Sequence, residues 1–184
     1  MKTDNTLYFG RPADERSADE MAVYDRLDSL EIEYARADHE HADTMEDCLA
    51  VESVLGAKIC KNLFLCNRQK TRFYMLMMPS DKPFKTKFLT SQLNCARLSF
   101  AEADKMAEFL HTIPGSVSAL ELIFDTDENI QLVIDNELLK DEFICGHPSI
   151  STSTLRLKRE DMLRYVEKSG HSPVFIDLPS VFEE

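Results

Sequence analysis

A chain of 184 residues with 43% hydrophobic and 29% charged side chains has the size and balance of one globular domain with its own core. Its net charge of −12 argues against a general nucleic-acid binder, and no apolar run approaches the roughly 18–20 residues that span a bilayer. The opening residues, Met1-Lys2-Thr3-Asp4-Asn5, lack the apolar centre of a signal peptide, so the expected location is the cytoplasm. Five cysteines, odd in number and without a CxxC pair, fit free thiols in a reducing compartment.

In chain order, residues 1–16 read as an irregular lead-in, 17–177 as one domain and 178–184 as a frayed acidic tail. Ser17 can cap a helix from Ala18 to about Leu30, with Met21, Tyr24, Leu27 and Leu30 on one face. A short strand follows near Ile32–Ala37. Thr44 and Asp47 resemble a capping box for a helix that stops at Gly56. The runs Leu63–Leu65 and Arg72–Met78 predict a hairpin around a polar turn, with Lys61 and Asn62 at the mouth of its first strand. A loop at Pro79–Pro83 and a helix at Thr86–Leu93 come next, then a helix over Ala101–His111 capped by Ser99 and broken by Pro114-Gly115-Ser116. Ala119–Phe124 and Ile130–Ile134 read as a second hairpin around an acidic turn. A helical turn at Asn136–Leu139, strands at Glu142–Cys145 and Ser153–Leu157, an amphipathic helix at Lys158–Lys168 and a strand at Val174–Ile176 complete the reading. Without a strict βαβ rhythm, this favours α+β with a mostly antiparallel or mixed sheet.

Charge is unevenly spread. Residues 1–57 and 98–184 are each net −10, whereas 58–97 carry nine basic groups (Lys58, Lys61, Arg68, Lys70, Arg72, Lys82, Lys85, Lys87, Arg97) against Asp81 alone. Such a segment can meet a polyanion, or can simply be a solvated face. A lysine at an apolar strand end either faces a ligand anion or snorkels to water. The turn Pro114-Gly115-Ser116-Val117-Ser118 could cradle an oxyanion with its amides, although no named nucleotide or hydrolase motif is present. His147-Pro148 could present an imidazole to a pocket or serve structure alone. Asp38-His39-Glu40-His41 has metal-like spacing but no further recognisable ligands, and reads equally as a polar loop. Cys145 beside His147 reads as a structural cysteine, since sequence neighbours rarely form a nucleophile–base pair.

Lys61-Asn62-Leu63-Phe64-Leu65, Arg97-Leu98-Ser99-Phe100-Ala101, Pro114-Gly115-Ser116-Val117 and Gly146-His147-Pro148 with Ser151-Thr152-Ser153-Thr154 occur in that order. In this the chain resembles the YbaK/ProX aminoacyl-tRNA editing domains, more narrowly the free-standing prolyl-tRNA editing proteins of the PrdX or ProXp-ala type, over about residues 18–168. The resemblance implies a single α+β domain with a mixed, largely antiparallel, barrel-like sheet flanked by helices. It implies hydrolysis in trans of mischarged tRNA, typically alanyl-tRNA(Pro), with no metal, no cofactor and no covalent intermediate. By motif, Lys61 matches the family's essential lysine, Asn62 its neighbouring asparagine, Gly115 and Ser116 the glycine loop beside the aminoacyl carbonyl, and His147 the histidine of the amino-acid pocket. Val117, Ser118 and Pro148 would complete that pocket, and Lys58, Arg68, Lys70, Lys85 and Lys87 would meet the acceptor stem of tRNA(Pro), with prolyl-tRNA synthetase a further partner. Two positions depart from the family: Ser118-Ala119 replaces its usual Thr-Pro, and Ser151-Thr152-Ser153-Thr154 replaces Asn-Thr-Ala-Thr. Two alternatives stay open, a catalytically silent module that binds tRNA or a synthetase, and a metal- or thiol-dependent hydrolase using His39, His41 or Cys145.

Overall fold

The computed structural model of the protein describes residues 4–42 and 44–180. A two-residue strand β1 (Tyr8–Phe9) precedes helix α1 (Ala18–Ser29), which begins where Ser17 Oγ accepts the Glu20 amide at 3.2 Å. After β2 (Tyr34–Asp38), α2 (Met45–Leu55) opens on the Thr44–Asp47 capping box. It ends at Gly56, whose φ of +63° is one that side chains with a Cβ disfavour. Strands β3 (Cys60–Asn67) and β4 (Phe73–Pro79) form the expected hairpin, its turn tied by Asn67 Oδ1 to the amides of Thr71 and Arg72. Then follow α3 (Thr86–Leu93), β5 (Leu98–Phe100), α4 (Ala103–Leu110), β6 (Ile130–Asp135), β7 (Phe143–Gly146), β8 (Ser153–Lys158), α5 (Arg159–Lys168) and β9 (Val174–Ile176).

The strands make two sheets. One has the order β1-β2-β8-β7, antiparallel throughout; the other runs β5-β3-β4-β6-β9, with β6 parallel to both β4 and β9. The architecture is thus α+β, mixed and largely antiparallel. The main core lies between the sheets, where Phe64, Met75, Met77, Leu132 and Ile134 meet Ile144, Leu155 and Leu157, closed by Tyr24 and Leu27 of α1 and Tyr165 and Val166 of α5. The other face of the five-stranded sheet packs on α3 through Leu65, Leu76, Met78 and Leu89. Val51 and Leu55 of α2 cover the outer side of the smaller sheet at Ala37 and Cys145. Alternate residues of β3 and β4 therefore belong to different cores, so a one-residue slip of this hairpin would exchange them.

Four local expectations are corrected. Ala119–Ile123 is a 3-10 helix, not a strand: Ser118 Oγ accepts the Leu120 amide at 3.2 Å and the Glu121 carboxyl accepts the Ser118 amide at 3.0 Å, a capping box that outweighs β propensity. Ser99 lies within β5 opposite Cys66, and α4 starts after Glu102 with no side-chain cap. The lead-in contributes β1, paired with Arg36 and Ala35 of β2. Leu178, assigned to the tail, is buried against α3, while residues 181–184 lie outside the described residues.

The acidic turn expected of a hairpin is instead an anchored loop. Asp125 accepts from the Asn129 amide and side chain, both at 3.0 Å, from the Ile130 amide at 2.8 Å and lies 3.1 Å from His171 Nε2. Burial alone would raise the Asp125 pKa, but its partners His171 and Asn129 and the Ile130 amide outweigh that and hold it below the usual carboxylate value. Its stabilisation is therefore complete above the ordinary carboxylate range and is lost as pH falls through the lowered value. Asp125→Ala, which leaves the buried Ile130 amide and the Asn129 amide without their acceptor, should cost about 1–3 kcal/mol at neutral pH and weaken the acid-induced loss of stability, as read by urea unfolding in neutral and acidic buffer.

Candidate active site

Two loops that are distant in sequence meet at the open end of the main core. The first, Pro114–Ser118, follows α4; Gly115 has φ +92°, and the Ser116 amide closes a turn onto the Ile113 carbonyl at 3.1 Å. The second, Gly146–Ser149, follows β7. Ser118 Oγ donates to the His147 carbonyl at 2.6 Å, and Gly146 leaves bare the space where a Cβ would stand 3.2 Å from that same hydroxyl. Among the described residues, neither the Gly115 amide nor the Val117 amide donates to a protein acceptor. Unpaired backbone amides are the kind of donor that a developing negative charge calls for.

His147 is fixed by its Nδ1, 2.8 Å from the Ser153 carbonyl and 3.4 Å from Thr154 Oγ1. A carbonyl only accepts, so Nδ1 carries the hydrogen and Nε2 keeps its lone pair in the neutral ring. Burial pushes the His147 pKa below the ordinary histidine value and favours that neutral form. Thr154 Oγ1 also lies 2.9 Å from His39 Nε2, whose Nδ1 faces the Glu40 carbonyl at 2.7 Å. His39 is thereby a support for the His147 wall. His41 reaches Ser151 Oγ at 2.6 Å, and among the described residues no three His, Cys, Asp or Glu side chains are grouped to hold a metal ion.

Lys61 and Asn62 do not share one pocket. Lys61 stands opposite Met78 of the α3-side core, and Asn62 opposite Met77 of the main core, as strand alternation requires. Asn62 contacts Cys60 Sγ at 3.8 Å, and that thiol donates to the Cys145 carbonyl at 3.4 Å, just before Gly146-His147. Asn62 thus lies on the side of the two loops. Lys61 Nζ donates instead to the Lys82 carbonyl at 2.7 Å.

The basic residues divide likewise. Lys58 precedes Lys61, and Lys85 and Lys87 flank the start of α3, whose first turn holds no acid. Helix N-terminal amides flanked by lysines attract phosphate. Arg68 and Lys70 sit on the hairpin turn, about 20–25 Å from Lys61 by strand length, and Lys70 is paired with Glu102 at 2.6 Å. Lys82, counted with the exposed cations in the sequence, is buried. The larger surface clefts, such as one of about 530 Å³ lined by Thr71, Arg72, Glu128 and His171, lie away from the two loops.

Residues 39–165 match the aminoacyl-tRNA editing domain family. The chain belongs to that family. It is accordingly an ester hydrolase, an aminoacyl-tRNA deacylase. It is similar to the prolyl-tRNA editing protein ProX of Acetoanaerobium sticklandii, 27% identical over 157 residues that cover 85% of this chain and 96% of that one. It is also similar to prolyl-tRNA synthetase associated domain-containing protein 1 of Danio rerio, 30% identical over 152 residues that cover 82% of each. Among solved structures, a candidate trans-editing enzyme for prolyl tRNA synthetase superposes with a TM-score of 0.66 over 90% of this chain and all of that one, at 13% identity, a likeness of fold.

In this editing domain the buried thiols of Cys60 and Cys145 are poor nucleophiles. All five cysteines are free, burial raises Cys60 to about 11, and it drives Cys145 higher still. Glu121 is the residue that strand-like patterning hid, although Ser118-x-x-Glu121 spells a capping box. Fully buried, it holds the Ser118 amide, with Thr112 and the Ser149 amide beside it. Burial pushes its pKa well above the usual carboxylate value, against the pull of the Ser118 amide. A raised carboxyl pKa gives stability that is complete at low pH and lost as pH rises through it. Glu121→Gln should therefore match the wild type below the ordinary carboxylate range and gain on it as pH rises above that range, whereas Glu121→Ala should lose about 1–3 kcal/mol, measured by urea unfolding from acid to neutral pH.

Proposed function

We propose that this deacylase acts in trans on mischarged tRNA, with alanyl-tRNA(Pro) as its main substrate. The observation that carries the reading is the bond from Ser118 Oγ to the His147 carbonyl, which joins the loop of the unpaired Gly115 and Val117 amides to the loop that carries the neutral imidazole. The names of the relatives, a prolyl-tRNA editing protein and prolyl-tRNA synthetase associated proteins, support tRNA(Pro) as the carrier and the synthetase as a partner.

The substrate ester is already activated, so positioning and charge stabilisation suffice. Amides of the Gly115–Val117 loop take the developing oxyanion, while water adds to the carbonyl with help from the vicinal ribose hydroxyl. Collapse breaks the acyl–oxygen bond and returns the proton to the ribose oxygen, releasing amino acid and tRNA. Ser118 Oγ is committed to the His147 carbonyl and is not the nucleophile. His147 Nε2 accepts from the substrate's α-ammonium group, and Asn62 orients the aminoacyl end. Lys61, on the other face of β3 beside Lys58, Lys85 and Lys87, holds the phosphate of the terminal adenosine. Val117 and Pro148 bound the amino-acid pocket.

Lys61→Ala should lower kcat/KM for alanyl-tRNA(Pro) by about 10²–10³-fold, in the range of a lost charge-stabilising group. Prolyl-tRNA should be spared, whereas seryl- and cysteinyl-tRNA should be only weakly distinguished, because a methylene-sized difference is worth about 1–3 kcal/mol. Intact tRNA binding without turnover of any of these esters would instead make the chain a silent binding module. Because the acceptor is the neutral ring, the kcat/KM profile should stay flat through the ordinary histidine range and fall only as pH drops through the lowered His147 value.

A further inference from the structure

Lys82 is the basic residue that the sequence misplaces. It follows the tight turn closed by its own amide on the Pro79 carbonyl at 3.3 Å, and it is 6% exposed. Its Nζ lies 2.7 Å from Asp135 Oδ2 and 2.9 Å from Glu137 Oε2. Asp135 is fully buried at the end of β6, and its second oxygen accepts the Glu137 amide at 3.2 Å. The main chain of the same lysine does something different: its carbonyl receives Lys61 Nζ at 2.7 Å.

We infer that Lys82, held by Asp135, is a positioning residue for Lys61. The inference rests on Lys61 acting in the site as proposed above. Two physical arguments carry it. First, a buried ion pair is an inefficient stabiliser, often matched by apolar residues of equal volume, so stability alone gives little reason for a lysine here. What the pair does fix is the height of the 79–83 loop against the end of β6, and with it the carbonyl that orders a side chain with four rotatable bonds. Second, Lys82 occupies the carboxylates of Asp135 and Glu137 with its side chain while its carbonyl receives Lys61. Lys61 is thereby ordered by a neutral acceptor and keeps its charge for an anion. Removing the Lys82 ammonium would leave the buried Asp135 carboxylate without its cation and the 79–83 loop without its tie to the end of β6, so that the carbonyl ordering Lys61 would shift.

The test is a double-mutant cycle on alanyl-tRNA(Pro) deacylation with the full chain, using K82M, K82R and D135N alone and in the K61A background. K82M and D135N should lower kcat/KM by about tenfold or more, and K82R should restore it to within about threefold of wild type. In the K61A background neither K82M nor D135N should cost anything further, because their effect runs through Lys61. A loss that persists undiminished on top of K61A, or single variants as active as wild type, would overturn the inference. Wild-type rates in K61A itself would remove the proposed role of Lys61, a separate outcome. Should K82M not fold, D135N alone decides by a second readout: the ammonium nitrogen signal of Lys61, assigned by its absence in K61A, should move in D135N, and an unmoved signal overturns the inference.

Discussion

The Ser118 hydroxyl is the constraint on which the loop pair depends. With one lone pair it caps the 3-10 helix Ala119–Ile123, and with its hydrogen it holds the His147 carbonyl. Its own amide is taken by the buried Glu121 carboxyl. One residue thus fixes where one loop ends, where the other begins and how far apart they stand. Buried polar networks of this sort are rigid when satisfied, because each unmade bond costs more than a made one returns. Rigidity is what the oxyanion role proposed for this loop requires, since donors that must reorganise during the reaction lose most of their advantage.

Strand β3 imposes the second organising rule. Its side chains alternate between two cores, so its exposed start can offer chemistry to two sides at once. Asn62 faces the loops and Lys61 faces the start of α3, with its lysines and acid-free first turn. A tRNA 3′ end carries two unlike groups close together, an ester and a phosphate, and a strand end between two surfaces suits such a substrate. Adjacent residues on a strand thereby act as a divider, where sequence proximity alone suggests a single pocket.

Much of the frame was legible because it is local. The caps at Ser17 and Thr44, the stop at Gly56 and the β3–β4 turn at Asn67 are each written within a few residues, and each forms as read. The errors fall where a short polar contact overrode an apolar run, as at Ser118–Glu121, or where tertiary pairing drew a capping-type residue into a strand, as at Ser99. The motif residues Gly115, Ser116 and His147 were legible as candidates, and their convergence is a matter of topology. Thr154, His39 and Lys82 were named in a motif, a metal-like run and a basic segment, but their supporting roles, and Asp135 altogether, were not legible, since nothing in a sequence tells a buried, paired lysine or a supporting imidazole from an exposed one.

Charge shows why the whole-chain total misleads for a protein of this family. A net charge of −12 should repel tRNA, yet at physiological salt an exposed charge is felt over only about 8 Å. In the reading proposed above, a phosphate at the mouth of β3 would therefore meet the local set of Lys58, Lys61, Lys85 and Lys87 with the α3 amides, and not the acids of α1 or α5.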